Sequence, residues 1–216
     1  MWPTGAGTVS LTGTSLTGTS LDVTSSPIAA AKSDLRKDAL ARRAALPAAE
    51  RMAAAEAIAA RGFPVAVGSD TIVSGYMPMG SELDPRPLMR RLAGAGASLA
   101  LPVVVGRGVP LLMRAYAFGH ALVKGVWGIR VPPPEAPEVA PDVLLVPLLA
   151  FDRNGNRLGY GAGYYDMTIA ALRAKKRVVA VGVAFAAQEV DAVPTTSRDV
   201  RLDLVLTERE VITVNA

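Results

Sequence analysis

Apolar positions recur at helical spacing from Ala30 to Leu46, with Leu35, Ala39 and Leu46 near one face, and this pattern predicts an amphipathic helix. A second, alanine-rich helix is predicted from Ala48 to Arg61. Thr71 to Met77 reads as a strand that Pro78 ends. Asp84 followed by Pro85 gives a helix start, an N-cap residue and then proline at the first helical position, with the helix running to about Ala93. Ala97 to Val105 and Pro110 to Tyr116 are strand-like, and Pro132 to Pro134 open a proline-rich connector. Asp142 to Pro147 is a short apolar run without alternation, the mark of a strand buried on both faces. A helix from Ala162 to Ala174 follows, then strands from Arg177 to Phe185 and from Leu202 to Leu206. Strands alternating with helices predict an α/β fold. The expected form is a single three-layer domain with a largely parallel central sheet flanked by helices, Rossmann-like.

Residues 1–28 break this pattern. They are rich in Thr, Ser and Gly and repeat Leu11-Thr-Gly-Thr-Ser as Leu16-Thr-Gly-Thr-Ser. Such a segment buries too little apolar surface to offset its ordering entropy and is expected to be a disordered leader, with a β-rich arm as the alternative. The folded domain is then 29–216. The leader carries no Lys, Arg or apolar core before Ser26, so it is neither a signal nor a transit peptide. No stretch has the roughly 18 apolar residues a membrane helix needs, and a cytoplasmic location is expected.

Half of the 216 residues are hydrophobic and 19% are charged, so a full core can form. The absence of cysteine removes disulfides, thiolate nucleophiles and Cys-ligated metals from consideration. A single histidine, His120, leaves no basis for a His-His metal site, and it is assigned no role. The net charge of +4 suits an anionic small substrate as well as nucleic acid. The basic residues are scattered, however, aromatics are few and no nucleic-acid motif is present, so neither nucleic acid nor a membrane is expected as a partner. The chain is expected to be a monomer.

The chemistry concentrates between Leu145 and Asp166. Asp152-Arg-Asn-Gly-Asn156 makes a tight polar turn, Arg157 follows, and Gly159, Gly161 and Gly163 stand at alternate positions before a helix. Glycines let backbone approach a ligand, and the N–H groups at a helix start can cradle phosphate oxygens. Arg157 would add a planar charge, and Asp166 is placed to hold a magnesium ion bridging phosphates. The segment is neither a Walker loop nor a dinucleotide fingerprint, and a plain glycine-rich turn with packed tyrosines is the competing reading.

The whole string Phe151-Asp-Arg-Asn-Gly-Asn-Arg-Leu-Gly-Tyr-Gly-Ala-Gly-Tyr-Tyr-Asp166 closely resembles the signature of the 5-formyltetrahydrofolate cyclo-ligases, Phe-Asp-x-x-Gly-x-Arg-Leu-Gly-x-Gly-x-Gly-Tyr-Tyr-Asp. Lys32-Ser-Asp-Leu-Arg36 resembles that family's Lys-x-x-Leu-Arg, and Tyr76 to Asp84 resembles its strand-end segment with a substrate-binding glutamate, here Glu82. Trp127-Gly-Ile129 resembles its aromatic-Gly-Ile element, and Ser197-Arg-Asp199 with Leu202-Asp203 its C-terminal stretch. Val131 and Ala162 depart from residues common in the family, Glu or Gln and Lys respectively.

The resemblance implies ATP- and magnesium-dependent cyclisation of 5-formyltetrahydrofolate to 5,10-methenyltetrahydrofolate, with release of ADP and phosphate. It implies that the formyl oxygen is phosphorylated, the folate nitrogen closes the ring and phosphate departs. By that resemblance Arg157 and Tyr164 are catalytic. Lys32, Arg36, Arg157, Leu158, Gly159, Tyr160, Gly161, Ala162, Gly163, Tyr164 and Tyr165 bind ATP. Glu82, Trp127, Tyr160, Gly161, Gly163 and Tyr164 bind folate, and Asp166 and Asp199 bind magnesium. Competing assignments at these positions are a solvated face for Lys32 and Arg36, a loop carboxylate for Glu82, a half-buried core residue for Trp127 and a salt-bridge or N-cap role for Asp199. A protein that binds ATP for regulation without turnover is the alternative function.

Overall fold

The computed structural model describes residues 27–214. The segment 1–26, which holds nearly all of the expected leader, lies outside the described residues. Pro27 and Ile28, expected to belong to that leader, form the first turn of α1.

The α-helices are α1 (Pro27–Ala45), α2 (Ala48–Ala60), α3 (Arg86–Gly94) and α4 (Tyr164–Arg173). The strands are β1 (Ile72–Ser74), β2 (Ser98–Val103), β3 (Leu112–Tyr116), β4 (Val123–Lys124), β5 (Arg130–Val131), β6 (Val143–Val146), β7 (Ala150–Phe151), β8 (Arg157–Leu158), β9 (Val179–Val183), β10 (Leu204–Leu206) and β11 (Val211–Thr213). Seven of them form the central sheet in the order β11-β10-β9-β6-β1-β2-β3. The inner five are parallel, and β3 and β11 close the edges antiparallel. β4 with β5 and β7 with β8 make two short hairpins outside the sheet.

β6 explains the layering. All four of its residues are buried. Val143 and Leu145 face a cluster that includes Ile58 of α2 and Leu88, Met89 and Leu92 of α3. Leu144 and Val146 face the opposite cluster, with Ile169 of α4 and Ala180 and Val205 of the neighbouring strands. Successive side chains of a strand point to opposite faces, so a run without polar residues needs a helical layer on each side. Each such buried side chain stabilises the fold by about 1.5–3 kcal/mol. A third cluster sets Ala39 of α1 on Leu149, Ala150 and Leu158 of the β7–β8 hairpin.

Taken in chain order, the five parallel strands are arranged 2-1-3-4-5 across the sheet. The winding therefore reverses between β1 and β6, and ligands of open α/β sheets bind outside the carboxyl ends of the strands at such a point. Two segments leave the sheet there. Thr71–Met77 was expected as one strand, yet β1 ends at Ser74, because the chain must turn away from the sheet to build a loop. Tyr76 fixes that loop by donating its hydroxyl to the Leu83 carbonyl at 2.9 Å. Downstream of β6 the chain forms the β7–β8 hairpin and enters α4.

Asp152 organises the hairpin turn. It is 1% exposed, and its carboxylate accepts the backbone N–H groups of Asn154 at 2.9 Å, Asn156 at 3.1 Å and Val193 at 3.0 Å. Gly155 completes the turn with φ +79°, and a Cβ there would stand 2.7 Å from the Leu202 carbonyl oxygen. Gly155→Ala is accordingly expected to destabilise the protein by about 1–3 kcal/mol from backbone strain alone, read as a lower denaturant midpoint at unchanged m-value.

Candidate functional site

Helix α1 carries a stripe of side chains inward, Lys32, Arg36, Ala39 and Arg43, at spacings of three, four and seven that keep them on one face. Ala39 anchors the helix to the hairpin, Arg36 and Arg43 meet the loops that follow β1 and β8, and Lys32 meets Asp199 in the segment before β10. Arg36 donates Nε–H to the Gly159 carbonyl at 2.9 Å. Gly161, with φ +101°, lies against the same guanidinium, and a Cβ there would sit 3.3 Å from Arg36 Cζ. The glycine loop and Arg36 therefore approach more closely than a side chain at 161 comfortably allows. No side chain caps α4, whose N-cap is Gly163, so the first-turn N–H groups at Tyr164 and Tyr165 keep their donor capacity for a ligand.

Two ion pairs flank this loop. Arg157 on β8 is buried, with one Nη donating to the Val200 carbonyl and the other to Asp166 Oδ1 at 2.7 Å. Burial pushes its pKa down, and the Asp166 carboxylate opposes that push. Asp166 Oδ1 also accepts the Val200 N–H at 2.9 Å. Lys32 Nζ reaches both oxygens of Asp199, at 2.7 and 2.6 Å. Thr196 donates its backbone N–H and its hydroxyl to Asp199 Oδ2, the latter at 2.8 Å. Burial raises the Asp199 pKa, but the bonds from Lys32 and Thr196 outweigh it and hold the carboxyl below the ordinary range. The segment from Thr196 to Val200 thus ties α1 and β8 to the start of α4.

A second polar group lies beside the glycine loop, joined to it through Tyr160. Glu82 is 8% exposed, and its Oε2 accepts the Met79 N–H at 2.8 Å. Burial raises its pKa against the opposing effects of the Met79 N–H, the Tyr160 hydroxyl and Arg43. Tyr160, half-exposed, accepts a bond from Arg43 Nη2 at 2.7 Å. Trp127, in the β4–β5 turn, adopts the left-handed φ of +55°, rare for a non-glycine residue. It is 65% exposed, so it is not the half-buried core residue that was one expectation, and its ring stands edge-on to Tyr164 with centroids 6.1 Å apart. The Tyr165 hydroxyl is buried with no hydrogen-bond partner, and burial raises its pKa.

Of the residues singled out in the sequence, three sets are in contact: Lys32 with Asp199, Arg36 with Gly159 and Gly161, and Arg157 with Asp166. Tyr160, Gly163, Tyr164 and Tyr165 line the same loop and helix start. Leu158 turns its side chain into the core and offers a ligand only backbone, while Ala162 is exposed at the loop tip. Among the described residues no three Asp, Glu, His or Cys side chains gather into a metal cluster. Sequence reasoning missed Arg43. Its signal was the seven-residue spacing from Arg36, obscured because Arg42-Arg43 on an alanine-rich helix resembles a solvated pair.

Fold and site together define a three-layer α/β protein whose glycine loop, at the winding reversal of the sheet, is faced by cations from its first helix. A profile of the 5-formyltetrahydrofolate cyclo-ligase family matches residues 28–208. The chain belongs to this family and is one of its enzymes. It is 38% identical over 190 residues to the 5-formyltetrahydrofolate cyclo-ligase of Mycolicibacterium smegmatis, covering 84% of this chain and 95% of that one. The Escherichia coli cyclo-ligase is 34% identical over 157 residues, 69% of this chain and 84% of its own. The structure of 5,10-methenyltetrahydrofolate synthetase from Aquifex aeolicus superposes with a TM-score of 0.70 at 30% identity, covering 86% of this chain and 93% of that chain.

Proposed function

We propose that the enzyme cyclises 5-formyltetrahydrofolate to 5,10-methenyltetrahydrofolate with conversion of ATP to ADP and phosphate. The observation that carries this reading is the glycine loop at the start of α4 held against Arg36 of the first helix, with the Arg157–Asp166 pair at the two ends of the loop. Fixed donors around an uncapped helix N-terminus suit a triphosphate.

In the proposed reaction the formyl oxygen attacks the γ-phosphorus and the bond to the β-phosphate oxygen breaks. The neighbouring folate nitrogen then bonds to the formyl carbon and loses its proton, and the carbon–oxygen bond breaks with departure of phosphate. Little covalent chemistry falls to the protein, whose work is positioning and charge stabilisation. Lys32, Arg36 and the loop N–H groups hold the phosphates. Arg157, fixed by Asp166 and Val200, stabilises the charge on the transferring group. Glu82 accepts N–H donors of the aminopyrimidine edge, and Trp127 and Tyr164 pack on the folate near the reacting end.

The carboxylates fit a magnesium ion in a limited way. Both Asp199 oxygens are committed to Lys32, whereas only Oδ1 of Asp166 is engaged, so Asp166 is the residue that would hold the ion through Oδ2. One carboxylate with phosphates and water is a usual magnesium set. The ion supplies neutralisation of phosphate charge. Asp199 serves instead to hold Lys32. The proposed setting is the cytoplasm and the proposed form a monomer; among the described residues no helix is long and apolar enough to cross a membrane.

The test is formation of the methenyl product, followed by its absorbance, on mixing enzyme, 5-formyltetrahydrofolate, ATP and magnesium. Turnover that depends on ATP supports the reading. Nucleotide binding without any turnover would favour the regulatory alternative and overturn it. Gly161→Ala tests the cradle: the unfavourable φ and the close Arg36 guanidinium are expected to displace the loop and raise the KM for ATP roughly tenfold, the effect of about 1.4 kcal/mol, with melting temperature little changed.

A further inference from the structure

Arg43 takes no part in the phosphate cradle, yet it is one of the most deeply buried charges of the protein, at 3% exposure. Its Nε donates to Ser81 Oγ at 3.1 Å and one Nη to the Tyr160 hydroxyl at 2.7 Å. The other Nη is buried with no hydrogen-bond partner. Withdrawing a guanidinium from water with an unmatched N–H is costly, and a neutral side chain could join α1 to these loops without that cost. The charge therefore needs a use, and its surroundings supply one. Ser81 precedes Glu82 in the chain. Tyr160 accepts from Arg43, so its own proton is free, and its hydroxyl favours the ionised form of the neighbouring Glu82.

We propose that Arg43 is a positioning and specificity-determining residue, acting through Ser81 and Tyr160 to keep the Glu82 carboxylate aimed and ionised for the pterin ring. This rests on the reading of Glu82 as the acceptor for that ring. The aminopyrimidine edge presents two adjacent N–H donors. An ionised carboxylate accepts both, whereas a protonated one meets one of them with a hydrogen of its own. The groups facing Glu82 come from several elements. Arg43 stands on α1, Tyr160 on the glycine loop and Tyr165 in the first turn of α4, while Tyr76, Asp84 and the Met79 N–H lie in Glu82's own segment. Burial keeps Tyr76 and Tyr165 neutral, and Asp84 is occupied by Arg86 at 2.6 Å. Arg43 is the cation of the group.

The experiment is titration calorimetry of 5-formyltetrahydrofolate from mildly acidic to mildly alkaline pH, on the parent and on Arg43→Met, Arg43→Lys, Tyr160→Phe and Glu82→Gln. In the parent, Kd should rise as pH falls through the pKa of Glu82. In Arg43→Met that rise should move about one unit up the pH scale, the size of a lost neighbouring charge. Affinity at neutral pH should fall roughly tenfold, with a far smaller change for ATP. Arg43→Lys should restore the position of the rise without restoring full affinity, and Tyr160→Phe should move it in the same direction as Arg43→Met. An unmoved rise in Arg43→Met overturns the proposal and leaves Arg43 a structural pin. Should Arg43→Met not fold, an unmoved rise in Tyr160→Phe overturns it equally. Parent-like binding and pH dependence in Glu82→Gln would sink the reading of Glu82 itself. Weakened binding in Glu82→Gln with an unmoved rise in the Arg43 variants would sink the Arg43 proposal alone.

Discussion

Arg157→Lys is expected to lower kcat by roughly 100- to 1,000-fold, the loss seen when a fixed donor to transition-state charge is removed, while the protein remains folded. The lysine keeps the positive charge beside Asp166 but loses the planar fork that reaches Val200 and Asp166 together. Alanine is the poorer test. It would leave a partly buried Asp166 without its cation and the Val200 carbonyl without its donor, and breaking a buried pair this way costs about 3–5 kcal/mol. Activity and folding would then fall together. Turnover of Arg157→Lys at saturating ATP and folate, with its melting curve, separates the two roles. A kcat near the parent value would make Arg157 a brace for α4 and the 196–200 segment, with no contact to the transferring group.

Lys32→Ala/Arg36→Ala should raise the KM for ATP by tenfold or more with a smaller effect on folate. Each lost charge-assisted bond is worth roughly 1.5–3 kcal/mol, and alanine keeps α1 helical. Asp199→Asn refines the test. If Asp199 exists to hold Lys32, its amide variant should weaken ATP affinity in the same direction as Lys32→Ala, and the two changes together should cost less than their sum. A large increase in the magnesium requirement of Asp199→Asn, with ATP affinity in Lys32→Ala intact, would instead restore Asp199 to the metal. Equal ATP affinity in the double variant and its parent would leave Lys32 and Arg36 as mere ties between α1 and the loop.

The layers were readable because β6 is apolar at every position and lies between helical patterns, which forces burial on both faces. The edges were not. β11 is three residues long and each hairpin strand two, too short for any period to register, and their pairing depends on neighbours distant in sequence. In the site, the glycine spacing pointed to a turn leading into a helix, and the family signature joined that turn to α1. Neither could disclose that Arg157 is buried or that both Asp199 oxygens are taken. Nor could they show that Arg43 stands between Ser81 and Tyr160, because such facts arise from packing between residues up to 167 positions apart.

The inward stripe of α1 has a dynamic corollary. Beside Ala39 and its flanking apolar contacts, the helix is fastened to the domain through Lys32 and Arg36, the side chains on which the proposed nucleotide acts, and through Arg43. A helix held largely through polar side chains at the surface of the domain opens at lower free energy than the sheet beneath it, and its amides exchange with solvent through that opening. A triphosphate bridging the helix to the glycine loop would add a fastening that exists only in the docked state. Hydrogen exchange along Pro27–Ala45 would then slow with nucleotide occupancy, while the amides of β6 kept the same rate, and the first helix would serve as a built-in reporter of whether the site is filled.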